Sequence, residues 1–437
     1  MDAGNNKFRV RPGTFLCIST LLVCLIASPA SAQNRFIVRD SLGLTGITNT
    51  CLLLGCTVTG SLGDPLGQLF LVTTSSLLNQ LTFLTTLTLQ LGVVNVEPDQ
   101  TVKTLAAYAG TPPSYLTDNK AVSYYGTTVW NGYVAQPGNQ LIRTDYTHTA
   151  FGAVGSGVTV AIIDTGVDPS NPVLKNVLLA GYDFTRNVSG GSERADVSTS
   201  PDLSGAQSAQ VNQSTVAVLD QSTVAVLDSS QYAAFGHGTM VAGIVHLVAP
   251  QAKIMPLKSF SSAGTGYDSD ILRAVYYAVK NGAKVLNMSF SYTNSSQELA
   301  NAIKYANSNG VVSVASAGND GKQVKVYPGA LPSVVDVAST SNQDIQSVFT
   351  NYGAPPVWLA APGEGVMTTY PWGTYAAGWG TSFSTPFVTG TAALMLGANG
   401  NCTVSKIAGG LAHAIWISDP QLGYGRLDTY QAVSACH

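Results

Sequence analysis

The feature that most constrains this chain's fold is an alternation of short, nearly continuous apolar runs with amphipathic stretches, from about residue 138 onward. Strands that are apolar on both faces belong to parallel sheets covered by helices. Helix candidates between the runs include Ser269–Asn281 and Ser296–Asn309. The pattern predicts an α/β fold, a parallel sheet with helices on both faces. The strand candidates are Val158–Ile163, Ala252–Leu257, Lys284–Phe290, Val311–Ala317 and Ser333–Ala338.

The composition excludes several classes of protein. The chain has 437 residues, of which 45% are hydrophobic and only 10% are charged, with a net charge of −3. So many apolar residues exclude a disordered chain, and this length is enough for a large core and more than one domain. With no basic block, nucleic acid is not expected as a partner.

The N-terminus has the pattern of a secretory signal peptide. Basic residues at positions 7, 9 and 11 precede an uncharged, mostly apolar stretch from Thr14 to Ala27, and small residues at 29–32 offer a cleavage site. The apolar stretch is too short to span a bilayer. We therefore predict a signal peptide at 1–32, a secreted, extracellular protein, and no membrane association once the signal is removed.

The cysteines that remain after the signal fit an oxidising compartment. We expect two disulfides, Cys51–Cys56 and Cys402–Cys436. There is no C-x-x-C pair and no cluster of His and Cys, so no metal site is predicted.

The exported chain divides into three regions. Residues 33–103 resemble a small α+β unit. Residues 104–140 are rich in Gly, Pro, Tyr and Thr, which indicates a linker and processing region. Residues 141–437 carry the α/β pattern. The strand candidates of the first unit are Arg35–Arg39, Gln68–Thr73 and Gly92–Val96.

A polar, Ser-rich stretch at 187–232 interrupts the α/β pattern and contains a duplication. The octapeptide Gln213–Asp220 is repeated as Gln221–Asp228. A duplication in a tolerant surface loop is the favoured interpretation. A flap over a binding cleft is the alternative, and the residues do not choose between them.

Three short motifs carry groups that can perform nucleophilic catalysis together. Asp164 ends a buried strand, where sites form in parallel α/β sheets. His237 stands between glycines at a helix start, and Ser382 precedes the apolar helix 387–396. Each alone could be a turn or cap residue. Together they supply a hydroxyl, a base that activates it and a carboxylate that orients the base.

The segments 163–166, 236–239 and 380–382 resemble the catalytic signatures of the subtilisin-like (subtilase) serine proteases, in the same order Asp, His, Ser. The resemblance extends from about Gly155 to the C-terminus. It implies a subtilisin-like fold and a serine endopeptidase that cleaves proteins or peptides through an acyl-enzyme. Asp164 would orient His237, His237 would act as base, and Ser382 would be the nucleophile.

Further residues take roles from the same resemblance. The segment 316–321 resembles the oxyanion segment, so the Asn319 amide and the Ser382 backbone N–H would bind the oxyanion. The segment 286–291 resembles the strand that pairs with substrate. Ser291 replaces a Gly common there, which predicts medium apolar rather than large aromatic residues before the scissile bond. The expected substrate-binding residues are Ser289, Phe290, Ser291, Ser316, Ala317 and Gly318.

The first unit resembles the family's inhibitory propeptide at 35–38 and 94–99. This implies a self-processing zymogen whose propeptide at 33–103 assists folding and acts as an intramolecular inhibitor. Cleavage is expected between about Thr104 and Gln140. An independent N-terminal binding domain is the alternative. The processed enzyme is expected to be a monomer.

No cofactor is predicted to be required. Calcium remains possible without an identifiable site, because calcium needs six to eight oxygens. Asp183, Asp196 and Asp202 flank the long loop, but solvated acids are the favoured interpretation. Met240 replaces a second His of the family motif and Phe383 a Met, and neither performs a proton transfer. Two alternative functions are an inactive subtilisin-like binding module and a sedolisin-type acid peptidase.

Overall fold

The structure is a computed structural model that describes residues 1, 34–75, 79–103, 110–197, 232–353, 355–417 and 420–437, and the backbone of 216–218. The predicted signal peptide, Asp202 and most of the duplicated stretch lie outside the described residues.

The N-terminal unit is a four-stranded antiparallel sheet in the order β2-β3-β1-β4. Phe36 and Val38 of β1 pack in one core with residues of two helices, whereas Ile37 between them joins a core shared with the rest of the protein. The period-2 alternation of a strand therefore gives this sheet two buried faces. The elements are β1 Asn34–Asp40, α1 Gly43–Leu54, β2 Thr57–Ser61, β3 Leu69–Thr74, α2 Gln80–Thr88, β4 Val93–Pro98 and β5 Thr101–Lys103.

Residues 110–140 correct the prediction of a linker over 104–140. They form a hairpin and two short helices that pack on the main core. Tyr133 is fully buried, and its hydroxyl donates to the Gly243 carbonyl at 2.6 Å. Composition suggested a loop, but the aromatic residues of this stretch are core residues here. The elements are β6 Ala121–Tyr124, β7 Thr127–Trp130, α3 Asn131–Val134 and α4 Pro137–Leu141, followed by α5 Thr144–Phe151.

The main sheet has eight strands in the order β10-β9-β12-β8-β14-β15-β16-β17. All neighbours pair in parallel except β10, which is antiparallel to β9. The strand β8 lies between β12 and β14, so its C-terminal end opens at the middle of the sheet edge. The strands are β8 Thr159–Asp164, β9 Tyr182–Asp183, β10 Val188–Ser189, β12 Lys253–Lys258, β14 Val285–Met288, β15 Val312–Ser316, β16 Val334–Thr340 and β17 Leu359–Pro362.

Helices cover both faces of this sheet, which confirms the predicted α/β fold. Val160 and Ile162 of β8 pack in the core that contains α6 and α9, and Ala161 and Ile163 pack in the core that contains α7 and α8. Both faces of β8 are buried, which accounts for its continuous apolar run. The remaining helices are α6 His237–Val248, α7 Asp268–Lys280, α8 Gln297–Ser308, α9 Thr381–Ala398, α10 Val404–Leu411 and α11 Thr429–Ser434.

Smaller strands complete the structure. Strands β11 (Val216–Val218), β18 (Val366–Tyr370) and β19 (Thr374–Gly378) form a three-stranded sheet, and β11 lies within the first copy of the duplicated octapeptide. Strand β13 (Thr265–Tyr267) pairs antiparallel with β5.

The structure contains both expected disulfides, Cys51–Cys56 in the N-terminal unit and Cys402–Cys436 near the C-terminus. Each bond closes a loop within a single region of the chain. Among the helices that the structure describes, none has the length and apolarity needed to cross a bilayer.

Candidate active site

Asp164 and His237 meet at the C-terminal edge of the main sheet. Asp164 is the last residue of β8, and His237 is the first residue of α6. The His237 Nδ1 lies 2.8 Å from Asp164 Oδ1, which also accepts the Thr165 backbone N–H at 2.7 Å. Asp164 is fully buried and His237 is 5% exposed. A buried carboxylate at this distance holds the imidazole in the tautomer that carries its proton on Nδ1.

Ser382 lies in the first turn of α9 and is 5% exposed. Its hydroxyl donates to the carbonyl of Ser289 at 3.1 Å, and the Ser289 hydroxyl donates back to the Ser382 carbonyl at 2.9 Å. The next residue, Phe383, packs its ring against the His237 imidazole with the ring centroids 5.7 Å apart. The structure thus brings the Ser382 turn beside His237, with the hydroxyl bonded to Ser289.

Asn319 is anchored against the same turn. Its side-chain Oδ1 accepts hydrogen bonds from the backbone N–H and the hydroxyl of Thr381, at 2.8 and 2.9 Å. These bonds use the acceptor end of the amide and leave the Nδ2 donor, which no other described residue binds. The backbone N–H of Ser382 lies in the first turn of α9, where N–H groups have no partner within the helix and attract negative charge.

The predicted substrate-binding segments lie side by side. Ser291 follows β14 and Gly318 follows β15, and a Cβ placed on Gly318 would stand 3.1 Å from Ser291 Oγ. The backbone of Gly318 donates to the Thr381 hydroxyl at 3.2 Å, which ties this wall to the Ser382 turn. The Phe290 side chain is not part of a pocket wall, because it is 1% exposed and packs on Phe260 in the core. The other predicted residues, Ser289, Ser316 and Ala317, are buried.

The glycines of the two first motifs allow close backbone contact. A Cβ on Gly166 would stand 2.6 Å from the Gly191 carbonyl oxygen, and a Cβ on Gly238 would overlap the Gly166 carbonyl. Gly166 also has a φ of +101°, which disfavours any other residue. A side chain at Gly238 would push the His237 helix away from the end of the Asp164 strand, and one at Gly166 would displace residues 191–193.

Two of the three acidic residues that were candidates for calcium, Asp183 and Asp196, have cationic side chains as partners. Asp183 accepts from Arg186 at 2.8 Å, and Asp196 pairs with Arg186 and with Lys258, whose Nζ lies 2.8 Å away. Lys258 is fully buried. Within the described residues, no cluster of three or more His, Cys, Asp or Glu side chains is arranged to hold a metal ion.

Sequence reasoning missed three parts of this site. One is β13, the strand that pairs with β5, which had no apolar run to mark it. Another is Lys258, which ends β12 opposite Asp164. The third is Glu193, a fully buried acid whose Oε2 accepts the backbone N–H of Gly236 at 2.9 Å. A charged residue that is buried and follows no known motif gives no local signal in a sequence.

The fold and the Asp–His pair define a subtilisin-like serine protease, and comparisons with known proteins agree. The Subtilase family (peptidase S8) matches residues 155–431, and the chain belongs to this family.

Thermitase of Thermoactinomyces vulgaris is 32% identical over 294 residues, which cover 64% of this chain and 90% of that protein. A thermophilic serine proteinase of Bacillus sp. (strain AK1) is 30% identical over 325 residues, with 74% and 72% covered. The solved structure of a cold adapted subtilisin-like serine proteinase matches with a TM-score of 0.51 and 28% identity, covering 63% of this chain and 90% of that one.

Proposed function

We propose that this chain is the precursor of a secreted serine endopeptidase that uses Asp164, His237 and Ser382. The observation that carries the proposal is the 2.8 Å bond between Asp164 and His237 at the sheet edge, with the Ser382 turn packed beside the imidazole through Phe383. The processed enzyme is proposed to act as a monomer and to need no cofactor.

The reaction begins when the Ser382 hydroxyl turns from the Ser289 carbonyl toward His237. Its oxygen attacks the scissile carbonyl carbon while His237 Nε2 takes its proton. The tetrahedral oxyanion accepts hydrogen bonds from Asn319 Nδ2 and the Ser382 backbone N–H. The intermediate collapses, the C–N bond breaks, and the leaving amine takes the proton from His237.

Water then attacks the acyl ester with His237 acting again as base. The ester bond to Ser382 breaks, the carboxylic acid product leaves, and the proton on His237 returns to the Ser382 oxygen. Asp164 keeps its charge throughout and stabilises the imidazolium in both halves of the reaction. Each half needs the same hydrogen-bond donors, because both pass through an oxyanion.

We propose further that residues 33–103 are an inhibitory propeptide. Strand β5 at the end of this unit pairs antiparallel with β13, with Lys103 opposite Thr265. Such strand addition is how extended peptides bind at sheet edges. Gly110 lies so close to Trp379, three residues before Ser382, that an added Cβ would overlap the Trp379 ring. We propose that self-processing falls between Lys103 and Gly110, because Gly110 contacts a residue three positions from the proposed nucleophile.

Two carboxylates and one cation hold this unit on the peptidase region. Glu97 accepts the backbone N–H groups of Gln297 and Glu298 at 3.1 Å each, at the start of α8. Asp99 accepts the backbone N–H of Ser269 at 2.8 Å, at the start of α7. Arg39 makes an ion pair with Glu298, whose side chain is 1% exposed. These contacts favour an inhibitor over an independent binding domain.

The test is to express the precursor with Ser382→Ala and, as a matched control, with Ser384→Ala. Ser384 is fully buried two residues further along the same helix. Wild type and S384A should mature and cleave casein at pH 7–9, whereas S382A should remain full-length and lose about 10⁶-fold in activity. N-terminal sequencing of the exported protein tests the signal site after Ala32 and the processing site.

Other outcomes would favour the alternatives. A folded wild type that neither matures nor cleaves casein would indicate an inactive binding module. Cleavage confined to acid pH would favour an acid peptidase. Residual activity in S382A equal to that of wild type would exclude Ser382 as the nucleophile.

A further inference from the structure

A carboxylate that belongs to none of the catalytic motifs lies behind the Asp164–His237 pair. Glu193 is fully buried in a single helical turn, Glu193–Asp196, near the start of the Ser-rich stretch 187–232. We propose that Glu193 is a positioning residue, whose side chain joins the end of the Asp164 strand to the start of the His237 helix. The inference rests on the proposed function and adds a residue to it.

The contacts of Glu193 reach both catalytic elements. Its Oε2 accepts the backbone N–H of Gly236 at 2.9 Å and the hydroxyl of Thr165 at 3.2 Å. Its Oε1 accepts the hydroxyl of Thr239. Thr165 directly follows Asp164, Gly236 directly precedes His237, and Thr239 lies in the same helical turn as His237. A shift of Glu193 would therefore move one catalytic residue relative to the other.

The directions of these hydrogen bonds require an acceptor at both oxygens. The Thr165 hydroxyl oxygen already accepts the Gly238 N–H at 3.0 Å, and the Thr239 hydroxyl oxygen accepts the Asp168 N–H at 2.8 Å. The protons of both hydroxyls therefore point to Glu193, and the Gly236 N–H can only donate. A carboxylate accepts all three bonds, whereas an amide offers one oxygen and two N–H donors. The site is thus built for a carboxylate.

The Glu193 carboxylate also stabilises the N-terminus of helix α6. Gly236 is the N-cap of α6 and has no side chain of its own to bind the free N–H groups. Glu193 brings a carboxylate to this positive helix end. Because His237 is the first residue of α6, an interaction that fixes the N-terminus of the helix also fixes the position of His237.

The surroundings of Glu193 place its titration in the working range of a neutral protease. Burial is the main cause that raises the pKa of Glu193 to about 8. The Thr239 hydrogen bond and Lys258 of β12 oppose that shift, and the charge of Asp168, after β8, reinforces it. Below this pH the Glu193 carboxyl carries a proton, so one of the three groups that donate hydrogen bonds to it loses its acceptor. Above it all three are satisfied.

Other ionisable groups near Glu193 complete its surroundings. Arg194 and Asp196 share its turn but bind elsewhere, Arg194 with Ser170 and Asp196 with Lys258. From β18, Tyr370 has its pKa raised, mainly by burial and in part by the charge of Glu193. The catalytic pair itself faces Glu193 from β8 and α6.

The test compares Glu193→Gln with Asp336→Asn in the processed enzyme. Asp336 is 1% exposed in β16 and has a pKa raised by burial to about 7, so it is a buried acid matched to Glu193 but outside the site. Active sites are counted with a fluorophosphonate, so that kcat refers to reactive enzyme only. E193Q should lower kcat by about 100-fold with KM little changed, the size expected from a misplaced catalytic group.

The pH profile separates positioning from stability. For wild type and D336N, kcat should rise through an ionisation near pH 8, and for E193Q this ionisation should be absent. Thr239→Val, which removes one donor, should lower kcat by a smaller factor, and Thr239→Ser should restore it. This pair tests the inference even where E193Q does not fold.

Unchanged kcat per titrated site in E193Q or T239V would overturn the inference, and so would an ionisation near pH 8 that persists in E193Q. A variant that loses thermal stability and titratable sites, yet keeps kcat per site, would show a structural role only and would also overturn it. A wild-type enzyme that reacts with no fluorophosphonate would instead contradict the proposed function.

Discussion

Three helices of the peptidase region begin against a carboxylate from a distant part of the chain, and they differ in where that carboxylate comes from. Helix α6 meets Glu193, which belongs to the peptidase region itself. Helices α7 and α8 meet Asp99 and Glu97, which belong to the N-terminal unit. The physical attraction is the same in all three, since free N–H groups and the helix dipole favour negative charge.

The difference teaches how one interaction can serve two purposes. Under the proposed processing, Glu193 stays in the peptidase region and keeps its contacts beside Asp164 and His237. Glu97 and Asp99 would leave with the N-terminal unit, so the contacts that they make would be strong but removable. The N-terminal unit concentrates its charges at this contact. Arg35, Arg39, Glu97 and Asp99 all bond across or at the interface, whereas exposed leucines such as Leu52 and Leu81 lie on its helices.

The largest effect should come from removing both removable carboxylates. In the precursor, Glu97→Ala with Asp99→Ala removes the carboxylates that accept the backbone N–H groups of Ser269, Gln297 and Glu298, at a cost of about 2 kcal/mol for each carboxylate. The two sites lie on different helices, so the costs should add to about 10³-fold weaker inhibition. The lag before the processed enzyme becomes active on a chromogenic peptide measures the release of the unit.

Thr88→Val is the control for that experiment. Thr88 lies on α2, and its hydroxyl donates only to the Leu84 carbonyl of its own helix, at 2.9 Å. Its lag should match that of the wild-type precursor. If the double variant keeps the wild-type lag as well, strand pairing by β5 holds the unit without help from the carboxylates.

A slightly smaller effect should fall on the catalytic side alone. Asn319→Ala removes the Nδ2 donor, and kcat should fall by about 10²–10³-fold, or about 2.7–4 kcal/mol. Inhibition by the N-terminal unit should stay the same, since none of the helix-start bonds involves Asn319. Steady-state kinetics of the N319A variant check the fall in kcat. The activation lag of the same variant checks that inhibition is unchanged. A kcat within twofold of wild type would remove Asn319 from the oxyanion site.

The smallest effect, at most about tenfold for each pH unit, is a pH dependence of inhibition that acts through Asp268. This residue begins α7, its backbone N–H donates to the Gln100 carbonyl at 3.0 Å, and it is 2% exposed. Burial raises its pKa to about 7, and the charges of Asp99 and Glu97 add to the rise. The bound state therefore holds a proton that the released state gives up at an ordinary pKa near 3.9.

The sign follows from that proton. Inhibition should be strongest at low pH, weaken by up to about tenfold per pH unit as the pH rises from about 4 toward 7, and level off above 7. Asp268→Asn should reduce this dependence, and Asp270, whose pKa burial also raises to about 7, should account for part of what remains. Inhibition constants measured between pH 5 and 8 test it, and a constant that strengthens with rising pH would contradict the assignment.

The local parts of the fold could be predicted well from the sequence. The predicted helices Ser269–Asn281 and Ser296–Asn309 differ from α7 and α8 by one residue at each end. The predicted strand Val158–Ile163 differs from β8 by the same amount. The spacing of apolar residues and the residues that cap helices are local signals, so they predict helices and strands without knowledge of the rest of the chain.

The errors lie where packing overrides composition. The stretch at 104–140 was predicted as a linker from its Gly, Pro and Thr content, yet residues 110–140 pack on the main core through Tyr133 and Val129. Phe290 was expected among the substrate-binding residues, but its side chain packs into the core. Neither the composition nor a motif shows whether an aromatic side chain packs in the core or lies at the surface.

The sequence by itself determined the order of Asp164, His237 and Ser382, and with it the family and the class of chemistry. Only the tertiary structure decided that Glu193 supports His237 and that Glu97 reaches α8. Those contacts join residues 43 and 201 positions apart. A sequence motif identifies chemical groups that lie close together along the chain. The meeting of distant side chains depends on how strands and helices pack, and that is decided by the burial of the whole core.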